Sequence, residues 1–297
     1  MNQKILTPRA WAELFLLGLI WGGVFLAVRV TLDELPFVTT VLHRTFWAML
    51  VLWGAVLWMR LPIPRDAATW GAFLVMGLLN NVIPFALMAW GQLHIESGLT
   101  SILNAATAVF GVIVAALVFA DERLTPRRAM GVALGFGGVV TAIGPGALAS
   151  FDLRSTAQLA VLGGTLSYAL AGAWARARLS HLPPQLAAAG MLTGSTLVLL
   201  PAALLIDGPL QLDLLPRTWA AIAYMAVIAT AGAYLLYYRV LRMAGSGNLM
   251  LVTLVIPPVA IVLGALARAE ALPPRAFAGF ALLALGLLLL NIHPRRR

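Results

Sequence analysis

The chain contains no cysteine in its 297 residues, which removes disulfides, thiolate metal sites and cysteine nucleophiles from consideration. The four histidines, at 43, 94, 181 and 293, lack ligand-like spacing, so neither a metal nor any other cofactor is expected. Charge is scarce too. Only 10% of residues are charged, against about 25% in soluble domains, while 61% are hydrophobic and the mean hydropathy is +0.93. Water cannot be the main solvent of such a chain. Catalytic signatures are also missing: there is no G-x-S-x-G elbow, H-E-x-x-H pair, Walker loop or clustered carboxylate dyad. An enzyme is therefore not expected, nor is direct use of ATP. Rings of like charge, which would mark a passive channel, are absent as well.

What is present is a series of apolar runs, each near the roughly 20 residues that a helix needs to cross a bilayer. Ten are read, at about 10–30, 37–59, 69–92, 98–119, 127–145, 155–176, 184–205, 217–239, 246–267 and 275–292. Helices are the expected form, because backbone facing lipid must satisfy its own N–H and C=O groups. The first run follows Lys4 and Arg9 as a signal peptide would, but it continues without a small-x-small cleavage site and reads as a span. The fold class expected is an all-α polytopic membrane protein.

The net charge of +9 could point to nucleic acid, but such a binder gathers Arg and Lys on a solvated face. Here they occupy the gaps between runs. With the N-terminus in the cytoplasm, fourteen basic residues fall inside and six outside, a positive-inside bias that also puts the C-terminus in the cytoplasm. The partners expected are the lipid bilayer and a small-molecule substrate, with no nucleic acid, and the protein is read as a monomer.

An internal repeat organises the chain. Glu122, Leu124, Pro126, Arg127, Gly131, Ala133, Leu134 and Gly138 recur 148 positions later as Glu270, Leu272, Pro274, Arg275, Gly279, Ala281, Leu282 and Gly286. Arg29, Leu32, Leu35 and Pro36 return as Arg176, Leu179, Leu182 and Pro183, and Trp70 returns as Trp219. Matches between Leu- and Ala-rich helices arise by chance, so the Glu, Pro, Arg and Gly coincidences carry the weight. The reading is a first five-helix repeat at 1–145, an extracytoplasmic linker at 146–154 and a second repeat at 155–297. Five is odd, so the second unit enters the membrane from the opposite side, the inverted arrangement of many secondary transporters.

The Glu-x-Leu-x-Pro-Arg segments, Trp21-Gly22, Arg44 early in the second run and the duplicated unit together resemble the drug/metabolite transporter superfamily. More narrowly, the chain resembles the EamA-type ten-helix exporters and, within them, the bacterial aromatic amino-acid exporters of the YddG kind. The resemblance covers essentially the whole chain. It implies metabolite export across a bacterial cytoplasmic (inner) membrane.

Several intramembrane residues are candidates for the substrate path. Asn80 and Asn81 lie mid-run before Pro84, which can kink a helix, and read either as a polar wall or as interhelical hydrogen bonds. Thr100, Asn104, Thr107 and Gly111 form one helical stripe whose repeat counterparts are Asn248, Val252, Val255 and Val259, so the path is expected to be asymmetric. Thr253 precedes Pro257-Pro258, which reads as a helix break that exposes carbonyls or bends in gating, or as a purely steric kink. Trp21 corresponds at an offset of 147 to Tyr168, a pair that either lines a cavity or packs. Tyr234, Tyr237 and Tyr238 read as interfacial anchors, with ligand contact as the alternative.

Arg44 reads as snorkelling to the outer surface, as attracting a carboxylate, or as a gate pair with Asp33, Glu34 or Glu96. Glu13 suits a helix N-terminus, and Glu122 and Glu270 suit ion pairs with Arg123, Arg127, Arg268 or Arg275. Glycines at 131, 135, 138, 279 and 286 make the fifth and tenth runs a scaffold. The function expected is a secondary carrier exporting amino acids, aromatic or otherwise neutral, by alternating access. The alternatives are a proton-coupled multidrug or metabolite antiporter and, from other classes, a membrane enzyme or a passive channel.

Overall fold

The computed structural model describes residues 7–120, 125–144, 153–234, 236–237, 239–240, 243 and 252–291. Glu122, Arg123, Tyr238, Asn248, the chain ends and most of the 146–154 linker lie outside the described residues. The described chain is built of helices: α1 (Pro8–Thr31), α2 (Phe37–Trp58), α3 (Ala67–Gly91), α4 (Ser97–Val118), α5 (Pro126–Ile143), α6 (Leu153–Arg178), α7 (Pro184–Ile206), α8 (Pro216–Ala223, continuing as the π-helix Tyr224–Gly232 and then helical at the described residues 233–234, 236–237 and 239–240), α9 (Val252–Arg268) and α10 (Pro274–Asn291). By length and composition α1, α2, α3, α4 and α7 can each cross a membrane, and α9 and α10 are shorter apolar helices. Large apolar side chains such as Trp58, Leu117, Leu205 and Leu266 stand exposed on the outside of the bundle, a surface that lipid covers and water would not.

Helix starts follow local chemistry. Thr7 and Thr125 cap α1 and α5 through their hydroxyls ahead of a proline, which has no N–H to leave unpaired. Among the contacts between helices, several pairs have a counterpart related by the repeat. The α1–α9 contact is matched by α6–α4, α2–α8 by α7–α3, and α1–α8 by α6–α3, while α2–α7, α4–α9 and α5–α10 are their own counterparts.

The α5–α10 contact is the most extensive, and glycine makes it possible. A Cβ added to Gly138 would meet the Gly279 carbonyl at 2.6 Å, and one added to Gly286 would meet the Gly131 carbonyl, also at 2.6 Å. Because Gly131 and Gly138 repeat as Gly279 and Gly286, these are the same contact made twice. Backbone touches backbone there, with no side chain to yield.

Carboxylates lent by distant segments finish the helices at the end where α1 turns into α2. Glu270 accepts from Ser97 N (2.9 Å), Ser97 Oγ (2.6 Å) and Gly98 N (3.4 Å), capping α4 from the loop before α10. Asp207 accepts from Thr39 N and Oγ1 in the first turn of α2, and Glu34 accepts from Leu215 N at the start of α8. Each supplies negative charge to unpaired N–H groups at a helix N-terminus. Asp33 and Arg268 pair through both oxygens at 2.6 and 2.7 Å, and Glu96 and Arg154 do likewise at 2.8 and 3.2 Å. Glu270 therefore acts as a helix cap, a correction to the loop ion pair expected with Arg268 or Arg275. At the opposite end buried Glu13 binds both Arg9, at 3.1 Å, and Arg239, so it ties α1 to α8 and does more than face its own helix dipole.

Two outcomes follow for thermal unfolding in detergent. Gly138→Val lowers stability by about 1–3 kcal/mol through overpacking, whereas Gly137→Val, with open space at its Cβ, changes it by less than about 0.5 kcal/mol. The hydrogen bond from Arg268 holds the Asp33 carboxyl below its usual range, so its contribution is present above that range and lost as pH falls through the lowered value. Asp33→Asn is therefore less stable than the parent at pH 7 by up to about 1 kcal/mol, as for a partly exposed pair, and the difference closes in acid.

Candidate functional site

The polar groups that the sequence offers to the interior converge on one cluster. Arg44 lies seven residues into α2, roughly 10 Å from its start at 1.5 Å per residue. Its guanidinium carbon sits 3.8 Å from the centroid of the Phe85 ring on α3. Phe85 makes an edge contact with Tyr168 of α6, the centroids 6.3 Å apart. The Tyr168 and Tyr234 hydroxyls lie within electrostatic reach of Arg44, and the Asn80 amide lies against the Tyr234 hydroxyl. Tyr237, one turn on from Tyr234, meets Trp21 of α1 at 6.0 Å. Arg44, Asn80, Phe85, Tyr168, Tyr234, Tyr237 and Trp21 all retain some accessible surface. Arg44, Tyr168 and Tyr234 are only partly exposed, and they lie deep among the helices.

The backbone around this cluster is irregular in two matched places. Leu78–Val82 of α3 and Tyr224–Gly232 of α8 are π-helical, and the repeat offset of 149 that relates Trp70 to Trp219 carries the first stretch into the second. A π turn leaves a carbonyl without its usual partner. Ser167 Oγ of α6 donates to Leu79 O at 2.7 Å, and Trp21 Nε1 of α1 donates to Ala229 O at 3.2 Å. Both widened turns are thus closed by a side chain from the first helix of the opposite half. Pro84 lies directly beyond the first of them, in the first turn of the α-helix that resumes at Ile83.

The structure separates the remaining candidates. Asn81 is buried and donates to Ser195 Oγ at 2.8 Å, an interhelical bond that holds α3 to α7. Asn80 turns instead towards Met191 and Tyr234. Asn104 Oδ1 and Thr107 Oγ1 are buried without a partner and flank a break in α4 at Ala105–Ala106, which neither proline nor glycine announces. Val255 and Val259, the counterparts of Thr107 and Gly111, pack against Gly18 and Gly22 of α1, so part of the expected asymmetry is helix packing. The break expected at Pro257-Pro258 is not there: α9 runs unbroken through both, with Pro257 buried and Pro258 exposed. Thr253, one turn before Pro257, is partly buried in the same helix.

Arg44 and the tyrosines need a correction as well. Arg44 does not snorkel, and the three carboxylates expected as gate partners are engaged elsewhere: Asp33 with Arg268, Glu34 with the start of α8, Glu96 with Arg154. Tyr234 is an interior residue and not an interfacial anchor. Phe85 was missed, although one signal was available to join it with Tyr234. At the offset of 149 they are repeat counterparts, just as Arg44 and Met191, like Trp21 and Tyr168, are at 147. Three such pairs contribute to the cluster, counting Met191 beside Asn80, each with two different side chains; Asn80 and Tyr237 stand outside them. Two surface concavities lie at opposite ends, one of about 480 Å³ beside Ala68, Trp174, Arg178 and His181, the other of about 170 Å³ beside Arg29, His94, Glu96 and Glu270. Neither is lined by the central residues.

Comparison with known proteins agrees in kind. The profile of the EamA-like transporter family matches twice, at residues 10–144 and 155–292. A probable terminal-alkyne amino-acid exporter of Streptantibioticus cattleyicolor is 29% identical over 293 residues, covering 96% of this chain and 94% of that one. A probable amino-acid metabolite efflux pump of Escherichia coli is 24% identical over 289 residues, 92% and 91% of the two chains. A solved crystal structure shares the fold with a TM-score of 0.67 at 18% identity, over 95% of this chain and 97% of that chain. The chain belongs to the EamA-like transporter family, a family of membrane transporters and exporters and not of enzymes.

Proposed function

We propose that the protein is a secondary carrier that exports amino acids with aromatic or other neutral side chains by alternating access. In this reading ten helices span a bacterial inner membrane as two inverted five-helix repeats, with both termini in the cytoplasm. The carrier works as a monomer without ATP. The solute sits between the repeats at the cluster of Trp21, Arg44, Asn80, Phe85, Tyr168 and Tyr234, and the unpartnered oxygens of Asn104 and Thr107 and the hydroxyl of Thr253 belong to the path.

The observation that carries the reading is the placement of the polar and aromatic cluster on three repeat-related pairs, at the helices whose contacts exchange between halves. Inverted repeats place a transporter's substrate site at such a junction, near the midplane. Two relatives with exporter names at 24% and 29% identity support amino acids as the solute class. The carboxylate caps and ion pairs at the α1–α2 end support a gate on that side. Their release would open it, with Pro84 and Pro257-Pro258 as bending points.

Counterflow in proteoliposomes, screened over the twenty amino acids, is expected to saturate. Trp21→Ala, Asn80→Ala and Tyr168→Ala are each expected to raise the half-saturating concentration about tenfold; unchanged values in all three would move the site elsewhere. Uphill accumulation on an imposed pH gradient alone would replace uncoupled export with the proton-coupled antiporter. The absence of native cysteine gives a clean background for the gate. Ser97→Cys is expected to react with an impermeant thiol reagent several-fold faster when combined with Glu270→Gln, and equal rates would remove the gate.

A further inference from the structure

Arg44 is the group in the bundle whose chemistry is left incomplete. Its guanidinium offers five N–H donors in a planar fork, yet among the described residues it makes no hydrogen bond and no ion pair, and its buried Nε has no acceptor. The ring of Phe85 covers one face of it. Cation–π contact steadies the charge but accepts none of the donors. The ionisable groups that bear on Arg44 are the Tyr168 and Tyr234 hydroxyls, and no Asp or Glu is among them. The nearest acidic candidates along the chain are already paired at the α1–α2 end.

A buried cation without a counter-ion is costly, and intramembrane charges that persist mark substrate or ion pathways. The repeat shows that the fold does not need it, since the counterpart of Arg44 at an offset of 147 is Met191, which reaches the same Asn80 from the other half. The charge is therefore specific to one side of an otherwise matched pair.

We propose that Arg44, with the hydroxyls of Tyr168 and Tyr234, is the subsite for the carboxylate of the transported solute. The proposal rests on the carrier reading and narrows its substrate class to carboxylate-bearing solutes, excluding amines and uncharged drugs. A carboxylate matches the guanidinium fork with two parallel hydrogen bonds, and the two phenols can donate to its remaining lone pairs. A single cation suits a monoanion; a phosphate monoester dianion would leave one charge unmatched. The Trp21–Tyr237 contact, one turn of α8 beyond Tyr234, faces the apolar part of the solute.

The test uses the purified full-length protein, with ligand-induced thermal stabilisation and counterflow measured for the twenty amino acids, their carboxamides, 3-phenylpropionate, phenethylamine and phenyl phosphate. In the parent, stabilising solutes are expected to carry a free carboxylate, and each carboxamide is expected to bind at least tenfold more weakly than its acid. Arg44→Gln is expected to erase that difference while melting, without ligand, no lower than the parent, because an unpaired buried charge has been removed. Arg44→Lys should keep the acid preference at reduced affinity. The proposal fails if no acid in the panel binds, if a carboxamide, the amine or the phosphate binds as well as the acids, or if Arg44→Gln retains the preference. A lower melting point for Arg44→Gln would make Arg44 structural and overturn it too. Saturable counterflow of phenethylamine would sink the carboxylate subsite and leave the carrier standing; acid binding that depends on Arg44 without any flux would do the reverse.

Discussion

Inside an apolar bundle, a backbone N–H or carbonyl that loses its helical partner has no water to turn to. Much of what distinguishes this structure answers that constraint. The starts of α2, α4 and α8 expose N–H groups that their own flanking residues leave unpaired, and carboxylates from elsewhere in the chain reach them: Asp207, Glu270 and Glu34. The π turns in α3 and α8 free carbonyls, and hydroxyl and indole donors from α6 and α1 close them. At these helix starts and π turns, irregular backbone is paired with a side chain from another element. Local geometry and tertiary packing cannot be separated, and the helices that carry the central cluster are held by the same bonds that permit their distortion.

The sequence made the architecture legible because its signals there are strong. Apolar runs of bilayer length, prolines at helix starts and a glycine pattern repeated at 148 residues each have a local physical cause. Trp21, Asn80, Tyr168 and Arg44 were recognisable as unusual, since polar or mid-run aromatic groups stand out against Leu and Ala. Their company was not readable. Whether Asn80 or its neighbour Asn81 faces the interior is decided by the π register of α3, which a period of 3.6 does not describe. Tyr234 looks interfacial by counting from the end of its run, and only the packing of α8 against α2 draws it inside. The α4 break falls at two alanines, the residue with the highest helix propensity, so no reading of propensity would find it.

Symmetry and specificity occupy different residues. Several helix contacts exchange between halves, and so do three pairs of central positions, yet their chemistry does not: arginine stands against methionine, phenylalanine against tyrosine, tryptophan against tyrosine. Unequal side chains at equivalent places make the centre of the bundle lopsided, with a cation from one half and a thioether from the other.

The glycine seam between α5 and α10 has a different fate from those pairs. Where two side chains meet, a change in one can be absorbed by a change in the other, and the members of a duplicated pair are free to diverge. At Gly138 and Gly286 the neighbour is a carbonyl of the opposite helix, and a carbonyl cannot be made smaller. No second-site suppressor exists for a side chain added there. The mark of the duplication therefore survives most clearly where the two copies touch with nothing left to trade.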